Sequence, residues 1–400
     1  MSNLDYLLFG LTVLSGLYWI GALICVSASA RHPSAPSRFL PPVTVLKPLW
    51  SDDGRLYENL RTFCDQDYPA YQIVFGVRDK ADPAVRVVHR LIREFPQRDL
   101  TLVVSDHRLG ANLKIANLWN LSGHAKYETL VFADSDMHVG PDYLRAVVAP
   151  LEDRSVGLVT CLYKGVAPTG LCSTLGAMFI NEWFYPSALV GAKIEPLRHA
   201  FGATIACRRD VLASVGGLEA LADYLADDYQ LGWLVSRRGL RVALSPYVVE
   251  NVASEKSLAS LFFHELRWTR TFRVVRPVSY FCSGVTYGIP LSLLFLLSTG
   301  LSRLAIGLFT AHVVLRCVGR VSVHRALGLP GVWSSLWLVP IRDGLSFILW
   351  VLSFMGRTVR WNDQRLRVDG EGRIRRDLPA AVEYPTQPVP LGIEIRGAKE

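Results

Sequence analysis

The sequence predicts an α/β fold: a mostly parallel sheet with helices on both faces, and membrane helices at the two ends of the chain. Three observations lead there. Short apolar runs alternate with helical periodicity from residue 43 to residue 163. The runs are almost continuously apolar, as strands buried on both faces are. Long uncharged segments flank this middle region and account for half of all residues being hydrophobic.

The elements follow in order. Residues 6–30 hold no charge and are long enough to span a bilayer. No basic leader precedes them, which disfavours a cleaved signal peptide. Asp5 lies before this segment, whereas Arg31, Arg38 and Lys47 lie after it. The positive-inside rule then puts the amino terminus outside and residue 31 onward in the cytoplasm. Residues 1–30 are thus an anchor, and 31–42, rich in Pro and Ser, a linker. The region 43–256 reads as a cytoplasmic enzyme domain. Its predicted strands are 43–47, 71–77, 100–105, 128–133 and 156–163, and its predicted helices 56–64, 81–95, 113–121 and 141–151. Pro83 falls in the first helical turn, where proline is tolerated. Residues 257–278 form an amphipathic interface helix, apolar on one face and basic on the other. Membrane segments occupy 279–356, and a basic and then disordered tail occupies 357–400.

Charge and cysteines narrow the class. The formal net charge is +8, and arginines cluster beside the apolar segments at 267–276, 316–325 and 357–376. That pattern suits an anionic membrane surface, and no nucleic-acid motif is present. The seven cysteines show no C-x-x-C pair, which fits a reducing compartment and argues against a cysteine metal site. No G-x-G-x-x-G follows the first strand, so a dinucleotide site is disfavoured.

Acidic residues recur at strand ends. The strand LVFA runs into Asp134-Ser135-Asp136. Two carboxylates at the carboxyl end of a buried strand suit a hard cation, Mg²⁺ or Mn²⁺. An ordinary strand-end turn would use the same residue types. Asp79 and Asp82 follow the strand 71–77, and Asp227 and Asp228 open a helix in YLADDYQLG. Asp at a helix start also caps free N–H groups. Lys47 ends the first strand, and Lys114 lies in GANLKIAN at a helix start. Either position suits an anion.

An Asp-x-Asp after a strand, a later Asp in A-D-D-Y, and x-x-Arg-Trp before membrane helices resemble the membrane-bound inverting glycosyltransferases, and most closely the ceramide glucosyltransferase family. On that resemblance, the three family Asp positions fall on Asp82, Asp134 and Asp228. The last motif falls on His264-Glu265-Leu266-Arg267-Trp268, the first-strand Lys on Lys47, and G-x-N-x-K on Gly110, Asn112 and Lys114. His264 stands where the family has Gln or Arg, and Asp136 where animal members have Gly. Segments such as FCDQDYP, FINEWF and LSPYVVE look most like the bacterial hopanoid-biosynthesis-associated branch.

The resemblance implies a GT-A-like fold and a multi-pass protein of the cell inner membrane. It implies transfer of N-acetylglucosamine from a UDP-sugar donor to a polyhydroxylated hopanoid. Asp228, with Asp227 beside it, is the implied base. Lys47, Asp79 or Asp82, Lys114 and Asp134 bind donor, and Asp134 with Asp136 holds Mg²⁺ or Mn²⁺. Arg267 supports the diphosphate, and Trp268 shapes the acceptor end beside His264. A ceramide glucosyltransferase using UDP-glucose is the alternative within the class. A processive polysaccharide synthase would need more spans than this chain has. A non-catalytic membrane scaffold is disfavoured by the intact acidic set.

The spans expected are about 6–28, 281–300 and 303–318. The patch 333–355 is expected to be re-entrant or interfacial, because Pro340, Arg342 and Asp343 sit at its middle. Charge at a bilayer centre costs about 2.5–3.5 kcal/mol per residue on the insertion scale. Arg316, Arg320 and Arg325 would then mark the cytoplasmic end of the third span.

Overall fold

The computed structural model describes residues 2–29, 37–52, 54–168, 170–361, 364–375 and 393–396. The chain divides into two compact bodies. One comprises residues 34–163, 197–252 and 367–400; the other comprises 1–33, 164–196 and 253–366.

The first body is built on a sheet. Its strands are β1 (Val43–Pro48), β2 (Tyr71–Val77), β3 (Asp99–Val104), β4 (Thr129–Ala133), β5 (Met137–His138), β6 (Val156–Val166), β7 (Thr204–Arg208) and β8 (Arg241–Val252). A ninth strand, Ile393–Arg396, adds to the β3 edge, and the order is Ile393–Arg396, β3, β2, β1, β4, β7, β6, β8, β5. The run β3-β2-β1-β4 is parallel throughout, and β4-β7 and β6-β7 are antiparallel. Successive side chains on a strand point to opposite faces. Val45, Ile73, Phe75 and Val131 accordingly pack into one core, and Leu46, Val74, Leu130 and Phe132 into another. Both faces are therefore dry, as the apolar strands required.

The predicted helices are present as Leu56–Cys64, Ala84–Glu94, Leu113–Ser122 and Tyr143–Val148. The strand β7 and the length of β8 escaped the sequence reading. Two boundaries change as well. Residues 164–196 leave the enzyme body and fold into the second one. Part of the tail expected to be disordered is a strand, with Ile395 opposite Leu102. The rest of 376–400, residue 30 of the anchor and residues 31–36 of the linker lie outside the described residues. Phe39 and Leu40, at the end of that linker, pack on the core.

The second body is helical. Among the described residues, three of its helices are long and apolar enough to cross a membrane: Asn3–Ser29, Arg303–Leu327 and Trp333–Ser353. A bent pair, Pro277–Thr286 and Gly288–Ser298, turns by 63°. The contacts give direction. Leu8 packs with Phe295 and Ala305. The ring of His312 meets the Thr12 carbonyl at 3.0 Å. Trp19 donates to the Thr286 carbonyl and lies 3.7 Å beneath the Arg316 guanidinium. The helix 288–298 therefore runs antiparallel to Asn3–Ser29, and Arg303–Leu327 runs parallel to it. The contacts of 333–353 stay at the Trp19 end: Ser335 with Arg320, Asp343 with Arg316, Phe347 with Tyr287, and Ser353 with Tyr280. By length and composition the described residues hold three candidate spans, or four with the bent pair as one; from these contacts we expect 333–353 to lie along one surface. A reporter fused after residue 376 is expected to fluoresce in the cytoplasm. Periplasmic phosphatase activity there would mean that 333–353 crosses.

The charges do not behave as the sequence reading assumed. Arg342 makes two hydrogen bonds to Glu265, at 2.8 and 2.7 Å. Its neighbour Asp343 accepts two from Arg316, at 2.8 and 2.7 Å. Arg320 pairs with Glu182 in a π-helical turn. All six side chains are buried. Arg316 and Arg320 are thus internal ion pairs rather than surface markers, and only Arg325 is exposed. Removing one partner of a buried pair costs about 3–5 kcal/mol, whereas replacing both by apolar groups is often neutral. Arg342→Met is expected to lower the thermal midpoint in detergent sharply, and adding Glu265→Met to recover most of the loss. A double variant no better than the single one would contradict this.

Candidate active site

β1 lies between β2 and β4, so the connections leave it in opposite directions. A crevice outside the carboxyl ends of the strands at such a switch point is where open α/β sheets bind ligands. Lys47 ends β1 and Asp134 follows β4, and the two meet there. Lys47 is fully buried; its ammonium donates to the Asp134 carbonyl at 2.6 Å and lies 3.6 Å over the Phe63 ring. Burial pulls it down to about 7, against the attraction of Asp134 and Asp136. In this geometry it braces the acidic turn from below.

Lys114 is the central cation. Its Nζ lies 2.7 Å from Asp134 Oδ1 and 3.7 Å from Asp227 Oδ2. Burial alone would depress its pKa, but Asp134 and Asp227 together hold it above its ordinary value. The local sequence explains its placement. Asn112 caps the helix Leu113–Ser122, accepting from the Lys114 and Ile115 N–H groups. Its amide nitrogen donates to the Tyr224 carbonyl and to Asp227 Oδ1, at 2.8 and 3.2 Å. Gly110 lets this loop approach its neighbour: a Cβ there would fall 2.5 Å from the Ala222 carbonyl oxygen.

Asp227 and Asp228 open the helix Asp227–Arg237, whose amino-terminal dipole favours negative charge. Asp228 Oδ1 accepts the Tyr229 N–H at 2.8 Å. Oδ2 faces Gly202: a Cβ built there would lie 3.1 Å from it and 3.6 Å from Lys114 Nζ. Loss of water, then repulsion by Asp227, raises the Asp228 carboxyl to about 7 despite Lys114. Asp136 is raised as well, by burial and by Asp134, while its Oδ2 accepts from Asn251 at 2.8 Å.

Asp79 and Asp82 serve their own loop. Asp79 accepts from the Ala81 N–H, and Asp82 from the Ala84 and Ser51 N–H groups. Asp82 therefore has both carboxylate oxygens engaged, whereas Asp79 is exposed.

Among the described residues, no three His, Cys, Asp or Glu side chains converge on one point. Asp134 and Asp136 fit a divalent ion that draws its other ligands from a diphosphate and water. Mg²⁺ is usually bound in that way.

His264, Arg267 and Trp268 belong to the helical body, on the helix Leu258–Val275. Ser257 caps this helix, accepting from the Ser260 N–H. The His264 ring meets Glu255 at 2.5 Å and lies 4.3 Å from the Trp268 ring, which stacks on Phe179. Part of the basic face is already used: Arg270 and Arg273 donate to the carbonyls of Met355 and Gly356. Gly202, Asn251 and Glu255 were not singled out from the sequence. Each meets its partner across a long stretch of chain or carries no motif of its own.

The family described as glycosyl transferase family 21 matches residues 7–374. The chain is similar to ceramide glucosyltransferase 1 of Caenorhabditis elegans, 24% identical over 92% of this chain and 82% of that protein. It is also similar to ceramide glucosyltransferase 3 of that organism, 26% identical over 60% of this chain and 52% of that protein. Among solved structures it resembles the mannosyltransferase PcManGT of Pyrobaculum calidifontis, in complex with GDP-Man and Mn²⁺. The TM-score is 0.59 at 19% identity, covering 88% of this chain and 99% of that one.

Proposed function

The chain belongs to glycosyl transferase family 21, and on that premise we propose that it moves a sugar from a UDP-sugar to a hydroxyl group of a membrane lipid. One observation carries the reading: Asp134, Asp227 and Asp228 gather around Lys114 at the switch point of the sheet. Asp228 takes the proton from the acceptor hydroxyl as that oxygen attacks the anomeric carbon. Its Oδ2, turned toward Gly202, and its raised pKa suit a base working near neutral pH. Asp227, held by Asn112 and Lys114, keeps the helix start in place. Lys114 offers its ammonium to the diphosphate, and Lys47 holds the turn that presents Asp134 and Asp136. Asp79 is the better placed of the two β2-end carboxylates to hold the nucleoside, since it is exposed. By resemblance, Arg267 meets the diphosphate, and His264 and Trp268 shape the acceptor end.

A Mg²⁺ or Mn²⁺ ion on Asp134 and Asp136 would neutralise the diphosphate and stabilise UDP as it leaves. The mannosyltransferase of similar fold was solved with Mn²⁺.

For the substrates, the segments FCDQDYP, FINEWF and LSPYVVE support N-acetylglucosamine and a polyhydroxylated hopanoid. The similarity to ceramide glucosyltransferases favours a second reading, glucose onto ceramide. The apolar helices fit a membrane protein, and we place the sheet body on the cytoplasmic side of the inner membrane. Mass spectrometry of lipids from cells with and without the protein, given labelled UDP-glucose and UDP-N-acetylglucosamine, separates the readings. A protein-dependent glycolipid is expected. No labelled lipid from either donor would overturn the function.

A further inference from the structure

The segment after the last membrane helix has a place in the sheet body that no motif announced. Arg367 pairs with Arg375 and Val368 with Ile374, antiparallel, around a turn organised by Asp369. The Asp369 carboxylate accepts from the Glu371 and Arg373 N–H groups and from Arg375 Nε. Gly372 sits at φ +82°, a conformation side chains resist. Leu366, Val368 and Ile374 are buried.

This turn docks on residues 223–225, directly before Asp227. The Ile374 N–H donates to the Asp223 carbonyl at 2.7 Å, and the Leu225 N–H donates to the Gly372 carbonyl at 3.0 Å. The Arg373 guanidinium lies 5.3 Å from the centre of the Tyr224 ring. The other side of the same loop faces the site. Asp223 Oδ1 accepts the Ala111 N–H at 2.8 Å, and the Ala222 carbonyl accepts the Asn112 N–H at 2.8 Å. The Tyr224 carbonyl accepts the Asn112 amide, which also reaches Asp227. Asp227 is bridged to Lys114, and Lys114 to Asp134.

We propose that residues 367–375 are a positioning element for the transferase site, holding the loop 223–225 so that Asp227, Asp228 and Lys114 keep their register. The proposal rests on the functional reading above. Its geometry is a three-layer clamp: the turn grips the loop, the loop grips Asn112, and Asn112 grips Asp227. The loop has no regular structure of its own beyond a bridge to Arg373. Without the turn, the first turn of the helix 227–237 keeps its partners on one side only. Small displacements matter here, because about 1 Å of misplacement can cost about a hundredfold in rate.

The test uses the full chain in detergent with Ile374→Pro and Ile374→Val. Proline has no N–H, so the bond to Asp223 cannot form, whereas valine keeps it. Transfer kcat, equilibrium binding of UDP-N-acetylglucosamine and UDP-glucose, and thermal midpoint are measured together. Ile374→Pro is expected to lower kcat about tenfold or more, with donor-binding capacity kept and Ile374→Val close to wild type. Arg373→Ala is expected to lower kcat in the same direction, and Arg373→Lys to restore part of it. An Ile374→Pro kcat within about twofold of wild type would overturn the proposal. So would a fall in kcat matched by an equal fall in donor-binding capacity, since the turn would then only hold the fold. A wild-type chain that transfers no sugar would end the functional reading instead.

Discussion

Asp228→Asn is expected to lower kcat by about 10²–10⁴-fold, the usual worth of a positioned base, while UDP-sugar binding survives. The geometry separates Asp228 from its neighbour. Asp227 is committed to Lys114 and Asn112. Asp228 spends one oxygen on its own helix start and turns the other toward Gly202. An amide there keeps the size and removes the basicity. Near-wild-type turnover in the variant would rule the role out. The same argument has a pH signature. A base works only when ionised, and the Asp228 carboxyl is raised to about 7 with Asp227, Asp134 and Lys114 as its charged neighbours. As pH falls through that value the carboxyl becomes protonated and kcat falls with it. Asp228→Asn should flatten that acid limb, and an unchanged limb would mean that another group titrates.

Chelation is expected to remove activity altogether, and Mn²⁺ or Mg²⁺ to restore it. The protein offers two neighbouring carboxylates, Asp134 and Asp136, and among the described residues no third ligand joins them. An ion held in that way depends on the donor diphosphate for much of its coordination. Asp134→Asn should therefore raise the metal concentration needed for half-maximal rate. It also strips Lys114 of its nearest partner, at 2.7 Å. Asp136→Asn should have the smaller effect, since Asn251 already occupies one of its oxygens. Full activity in excess EDTA would sink the metal site.

The parallel half of the sheet was legible because its strands are apolar on both faces and short helices separate them. The antiparallel half was not. β7 pairs with β4 from seventy residues downstream, and no local pattern records such a pairing. The site divides in the same way. Asp134, Asp228 and Lys114 stand at strand or helix ends, where sequence marks them. Lys47 was found too, but not its burial beside Phe63, which turns its ammonium to a backbone carbonyl. The charges Arg342 and Asp343 in 333–355 were read against lipid, as on a scale for isolated helices. In the fold they meet Glu265 and Arg316.

Those two neighbours bear on how the protein is made. Arg342 and Asp343 are adjacent in the chain but satisfied by different helices, one completed before the final hydrophobic segment is synthesised and the other just before it. Stable burial must wait until both earlier helices stand side by side. A chain whose earlier helices are misplaced would leave Arg342 and Asp343 unmatched, and an unpaired buried charge is costly.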